Sequence, residues 1–330
     1  MGSLWDIGAK EIRDSFSSKK FLAVLGLFIA ISMFSVFMDA QMYQSQVSNV
    51  SSLEAGAVPE KPSLVHVFHN LFSFNLPLTA ALLGLMLSYD YISSERNEGT
   101  IELLLSYPIY RDEIVNGKLV AGIFTVAFSL LIALSMSTGL AVFMLKQIPS
   151  LQALTRLSFV WLGTVIYITF FLSLGTFLST VFSSRWRSLG AGAFILLFFI
   201  GLPPLSELAA SQVYPMPEPE VTETHSMHPG RPSVYVEDGR VTEEKSSLEE
   251  KREKVERKRE NFIEAVSRLS PFTTYRNYGT EMLLMKHTGE GLKPSFTESL
   301  RSSLGYLIYL ISQTSLTLAA TYTVFLRQDL

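Results

Sequence analysis

The chain is 330 residues long, with 27 basic and 30 acidic side chains, no cysteine, 48% hydrophobic residues and a mean hydropathy of +0.28, too apolar for most soluble domains. The lack of cysteine excludes disulfide frameworks and thiolate metal sites, and a net charge of −3 gives no electrostatic basis for binding nucleic acid. More than half of the charged residues fall within residues 207–303, so one polar segment is set into a very apolar chain.

Residues 1–20 place Leu4, Ile7 and Phe16 among Lys10, Glu11, Arg13 and Asp14. They are read as a short amphipathic helix on the inner membrane surface, the alternative being a tail that leads into the first span. Six uncharged runs then follow, at residues 21–38, 67–89, 119–145, 157–182, 189–205 and 304–326. Each approaches or exceeds the length needed to cross a hydrocarbon core of about 30 Å at about 1.5 Å per residue. The second contains Asn70, Asn75 and Pro77, which mark a kink, and the fifth ends at Pro203-Pro204. The first is longer than the apolar stretch of a signal peptide and no cleavage site follows Met38, so it is expected to be retained.

The expected fold is therefore an all-α polytopic membrane protein. Residues 1–20 form the amphipathic N-terminal helix, residues 21–206 carry transmembrane helices one to five with a loop at 93–118, residues 207–303 form a mainly helical extracytoplasmic insert, and residues 304–330 supply the sixth helix and a short tail. Lys/Arg bias orients it. Lys10, Arg13, Lys19 and Lys20, then Arg96, Arg111 and Lys118, then Arg185 and Arg187, and finally Arg327 fall on one side, against Lys61, Lys146 and Arg156 in the opposite short loops. Both termini are expected in the cytoplasm of a multi-pass cell-membrane protein.

In the insert, residues 212–240 are rich in Pro, Glu, Thr and His and read as a loop or poorly ordered arm. Residues 242–269 read as one helix, capped by Thr242, with a narrow apolar stripe at Leu248, Val255, Phe262 and Leu269. Pro271 ends it, and residues 272–285 form an aromatic stretch suited to the outer membrane interface.

The most informative stretch is the cytoplasmic loop at residues 93–114, SSERNEGTIELLLSYPIYRDEI, which runs on to Gly117-Lys118. Gly99 breaks the descending helix, Thr100 caps a new one, Ile101, Leu103, Leu104 and Leu105 give it an apolar face, and Pro108 stops it. Such a charged, capped helix between two spans offers a cytoplasmic partner something to push on. The loop resembles that of the permease subunits of type-2 ATP-binding-cassette (ABC-2) transporters, approximately E-R-E-x-G-T-x-E-x-L-L-x-x-P-x-x-R-x-E-I-x-x-G-K. Glu95, Arg96, Glu98, Gly99, Thr100 and Glu102 match in order, then Leu104, Leu105, Pro108, Arg111, Glu113, Ile114, Gly117 and Lys118. It looks most like the six-span branch that includes copper-enzyme-maturation and sodium or drug export permeases.

The resemblance implies an ATPase-coupling role for Gly99 to Arg111, a cytoplasmic cassette ATPase as partner, and a homodimer or a heterodimer with a second permease. It also implies that ATP and magnesium belong to that partner, with no cofactor in this chain and no catalytic residues. The sequence agrees. The phosphate-cradling loop needs a glycine five residues before Gly117, where Asp112 stands, and Lys118 is followed by Leu119 rather than Ser or Thr. H-E-x-x-H and G-x-S-x-G are likewise absent, so the chain reads as a transporter subunit and not as an enzyme.

Polar residues within the runs are candidates for a substrate pathway: Asn75, Asp90 and Gln313, with interfacial or helix-to-helix bonding as the competing explanation. No closed metal site is expected. His66 and His69, one turn apart, and His225, Met227 and His228 in the outer arm are the residues from which one would be built, with solvated or packing histidines as the alternative. The leading functional expectation is an exporter permease. The alternative is a non-transporting subunit that relays ATPase motion through the 242–269 helix to an extracytoplasmic protein.

Overall fold

The computed structural model describes residues 2–53, 66–68, 70–99, 111–217, 240–283 and 295–327. All the regular structure among them is helical. Helix α1 (Gly2–Ser17) carries the interleaved charges, and Ser18 separates it from α2 (Lys19–Leu53), accepting a bond on its hydroxyl from the Phe21 amide at 3.4 Å. The second run opens with a 3-10 turn at His66–Phe68 and a π-helical turn at Leu71–Asn75. Helix α3 (Leu76–Ser88) and the short α4 (Ser93–Asn97) complete it. The expected kink is thus a π turn. Pro77 has no N–H to offer the Ser73 carbonyl, and the chain accommodates this by widening the preceding turn, with the Leu76 amide bonded to the Leu71 carbonyl.

Helix α5 (Arg111–Leu145) has 35 residues and is about 52 Å long, so it extends beyond a hydrocarbon core of about 30 Å. Lys146, with φ 51°, terminates it in the left-handed conformation common after a helix. Ser150 caps α6 (Leu151–Val181) by accepting from the Ala153 amide. Helix α7 (Arg185–Val213) contains Pro203 and Pro204, so the proline pair does not end the fifth run. Helices α8 (Arg240–Ser267), α9 (Pro271–Met282) and α10 (Phe296–Arg327) follow.

Among the described residues five helical stretches are long and apolar enough to cross a membrane: Lys19–Ser45, Leu71–Asn97, Val115–Leu145, Leu151–Val181 and Arg185–Val213. The sixth expected run lies in α10 but outside this set, because Ser312, Gln313, Thr314, Ser315 and Thr317 dilute its hydropathy. Part of that polarity serves packing: the Thr314 hydroxyl bonds the Ile166 carbonyl at 3.4 Å and the Thr321 hydroxyl bonds the Ser173 carbonyl at 3.1 Å, both on α6.

The chain divides into two compact units, Met1–Phe199 with Pro271–Leu330, and Ile200–Ser270. In the first, α6 is central and packs against α3, α5, α9 and α10. Helix α9 is buried against it and does not lie on an exposed face. Tyr275 stacks on Tyr167 with centroids 4.4 Å apart, its hydroxyl is 2.6 Å from that of Thr164, and Tyr278 donates to the Phe159 carbonyl at 2.6 Å. Tyr167 in turn donates to the Pro77 carbonyl at 2.8 Å, and Arg156 to the Met282 carbonyl at 2.8 Å. Burial pushes the phenols of Tyr275 and Tyr278 up, which keeps both as donors.

In the second unit α8 starts at Arg240, so Thr242 lies inside the first turn and does not cap it. Val255, Phe262 and Val266 are half-buried, but Leu269 is 67% exposed and falls off the expected stripe. The Leu248 side chain lies outside the described residues. Arg259 donates to the carbonyls of Tyr214 at 2.6 Å and Ser211 at 3.4 Å, closing the C-terminal end of α7, and the rings of Tyr214 and Phe262 meet edge to face at 6.2 Å.

Candidate coupling site

The loop resembling an ATPase-coupling segment starts at the foot of α4. Two backbone donors in that turn, the amides of Ile92 and Ser93, both bond the Ser179 hydroxyl oxygen at 3.0 Å. Ser179 belongs to α6, so a side chain 86 residues away does for α4 what a local N-cap does elsewhere. Asn97 reaches the Ser183 carbonyl at 3.2 Å, and Glu98 lies 3.9 Å from Arg185. Gly99, at φ +70°, ends the turn in a conformation that only glycine adopts without cost. The base of the loop is therefore pinned to the end of α6 and the start of α7. Replacing Ser179 by alanine strands two buried amides and is expected to cost about 1–3 kcal/mol, to be read as a lower midpoint in thermal unfolding of the purified protein.

At the centre is Lys118, 5% exposed as a residue. Its ammonium bonds Glu11 of α1 and Glu95 of α4 at 2.9 Å each and sits 5.4 Å from the centroid of the Tyr91 ring. One buried cation thus joins the amphipathic helix, the foot of the loop and α5. Three charge-bearing groups in two bonds of this length form charge-assisted contacts, whose removal in part is costly because a buried charge is left over. Beside it, Lys20 pairs with Asp90 at 3.0 Å and covers the Tyr89 ring at 3.9 Å.

Of the residues singled out in the sequence, the fold brings Glu95, Arg96, Glu98 and Gly99 to this site, with Asp90 at its edge. Arg111 opens α5 and Glu113, half-buried, follows on it. Thr100, Glu102, Leu104, Leu105 and Pro108 lie outside the described residues. The bond between Glu11 and Lys118 is not legible in the sequence because nothing local links the two; the available signal is a cation at the edge of an apolar run.

Asn75 and Asp90 are not brought together. Asn75 donates to the Ser35 hydroxyl at 2.7 Å, and one turn away Asp39 accepts from the Asn70 amide at 2.9 Å and from its side chain. The π turn has a role here. Ser35 and Asp39 are four apart on α2, while Asn70 and Asn75 are five apart, and only the wider turn puts both asparagines in register with that face. Asp39, 6% exposed, stands directly after the first uncharged run, where the sequence alone marks only a boundary. Gln313 is half-buried on α10. Among the described residues no three His, Asp or Glu side chains cluster as metal ligands. His69, His225, Met227 and His228, and the His66 side chain, lie outside them.

A family model described as ABC-2 family transporter protein matches residues 5–330. The chain belongs to the ABC-2 transporter family. Among relatives of this ABC-2 protein, a probable ABC transporter permease protein NosY of Pseudomonas aeruginosa is 30% identical over 217 residues, 63% of this chain and 71% of the relative. A second, of Stutzerimonas stutzeri and of the same description, is 30% identical over 132 residues, 40% of this chain and 43% of the relative. The ABC-2 chain is thus a membrane component of an ABC transporter, a class that works with an ATP-binding subunit. Family membership gives the cluster around Lys118 its context: it stands where the charged helix α1 meets the foot of the loop that resembles a coupling segment.

Proposed function

We propose that this chain is the permease subunit of an ABC-2 exporter, with six spans and both termini cytoplasmic, driven by a separate ATPase that binds ATP and magnesium. The ATPase engages residues 99–111, and the permease works as a homodimer or with a similar second permease. The observation that carries the reading is Lys118 bonded to both Glu11 and Glu95. Force applied to the loop after α4 passes through this ammonium into α1 and α5, so the segment moves as part of a rigid foot. The bonds from Ser179 and Ser183 carry the same load into α6. Asn75, Asp90 and Gln313 remain the pathway candidates.

Co-purification tests the coupling role. Arg111→Glu is expected to weaken association with the cassette ATPase by about tenfold, as for a lost charge pair at an interface, and to abolish the permease-stimulated part of its ATP hydrolysis. Retention of complex and stimulation through several charge reversals in residues 98–113 would show that the ATPase docks elsewhere.

A second reading is favoured by Arg259. Its bonds to the last carbonyls of α7 tie α8 to the end of the fifth span, so motion of that end is carried into α8 and an external partner. ATP-dependent solute flux in reconstituted vesicles supports export, whereas motion of a spin label on α8 without flux supports the relay.

A further inference from the structure

A cavity of about 220 Å³ opens between α1, α2 and α3 beside the coupling cluster, much larger than the roughly 30 Å³ that a water occupies in the liquid. Its walls differ in chemistry. Helix α1 contributes Glu11, Asp14 and Ser15, at the i, i+3, i+4 spacing of one helical face, and Ser18 follows just beyond its end. The opposite face of α3 contributes Leu83, Met86 and Leu87 at the same spacing and ends in Asp90, while α2 adds Lys20 above Phe21 and Val24. A polar wall on the amphipathic helix thus faces an apolar floor made by two spans.

We propose that this cavity seats the head of a membrane phospholipid that carries both a phosphate and a primary ammonium, with its acyl chains leaving over Val24 and Met86. The charges select that head. Three carboxylates face one ammonium, so a purely anionic head meets net repulsion. Glu11 is already shared with Lys118 and Asp90 with Lys20, which leaves Asp14 as the wall's uncommitted acceptor for an N–H donor. Lys20, whose exposed ammonium has three N–H donors and spends one on Asp90, takes the phosphate with the others. A choline head has no N–H to give Asp14. The lipid so held would wedge α1 against the spans next to Lys118.

The test uses the delipidated full chain in detergent, with bound lipid counted by native mass spectrometry. Phosphatidylethanolamine is expected to be retained about threefold to fivefold better than phosphatidylcholine or phosphatidylglycerol, the scale of an exposed ion pair. Asp14→Asn should erase that preference while leaving the thermal midpoint unchanged, since Asp14 is exposed. Met86→Trp, which fills the floor, should lower retention of all three. Soluble phosphoethanolamine should not compete at millimolar concentration, because it lacks the chains that the floor accepts. Equal retention of the three lipids, an unchanged preference in Asp14→Asn, or competition by phosphoethanolamine at lipid-like concentration would each overturn the assignment.

Discussion

Replacing Lys118 with methionine is expected to destabilise the protein by about 3 kcal/mol and to uncouple it from its ATPase. The side chain is buried and bonds two carboxylates. Methionine fills the same volume but leaves Glu11 and Glu95 facing each other without the cation between them. Removing one partner of a buried ionic group typically costs about 3–5 kcal/mol. The lower end applies because neither acid is fully buried, the Glu11 and Glu95 side chains retaining 21% and 18% of their surface. The triple variant Lys118→Met, Glu11→Gln, Glu95→Gln separates stability from coupling. With no charge left to strand, it should recover most of the thermal midpoint, as neutral replacement of buried ionic groups often does. Stimulation of ATP hydrolysis by the permease should stay low, because the bonds joining α1, α4 and α5 are not restored. Recovery of both together would mean that the triad serves stability alone.

How far the sequence reveals this site depends on the range of the interaction. Among the described residues, uncharged length alone locates the five stretches long and apolar enough to cross a membrane, and the apolar-charged interleaving of residues 1–20 agrees with α1. Gly99 is legible as a helix stop because its left-handed backbone is a local requirement. The Ser179 cap and the Glu11 bond are not legible, since the partners are separated by 86 and 107 residues and no spacing rule connects them. The π turn is half legible: Pro77 announces a backbone defect, but whether it becomes a kink or a wider turn depends on Ser35 and Asp39 across the interface. Helix α9 is half legible for a related reason. Its tyrosines suit a membrane interface by composition, yet each hydroxyl finds a protein partner, so the helix is drawn into the core. Thr242 is the smallest discrepancy, a helix that starts two residues early.

Gly163→Ala is expected to cost about 2–3 kcal/mol, the range for overpacking a well-filled core. A methyl at Gly163 would intrude on the Tyr278 ring, with Cζ at 2.8 Å and Cδ1 at 2.9 Å and Cε1 closer still. The ring cannot easily retreat. Its hydroxyl is held 2.6 Å from the Phe159 carbonyl, one turn before Gly163 on the same helix, and the side chain is buried. Relief would require α9 to move off α6, which breaks the Arg156 bond to Met282 as well. Gly190→Ala is the matched control: nothing lies within 4 Å of the added carbon, so the change should be neutral or stabilise by a few tenths of a kcal/mol. The cause can be isolated with Tyr278→Ala, which alone leaves a cavity and should cost about 3 kcal/mol. In the double variant the new methyl meets no ring, so the combined loss should fall short of the sum by about 2 kcal/mol. Strict additivity in thermal unfolding would mean that the strain lies elsewhere than between residue 163 and Tyr278.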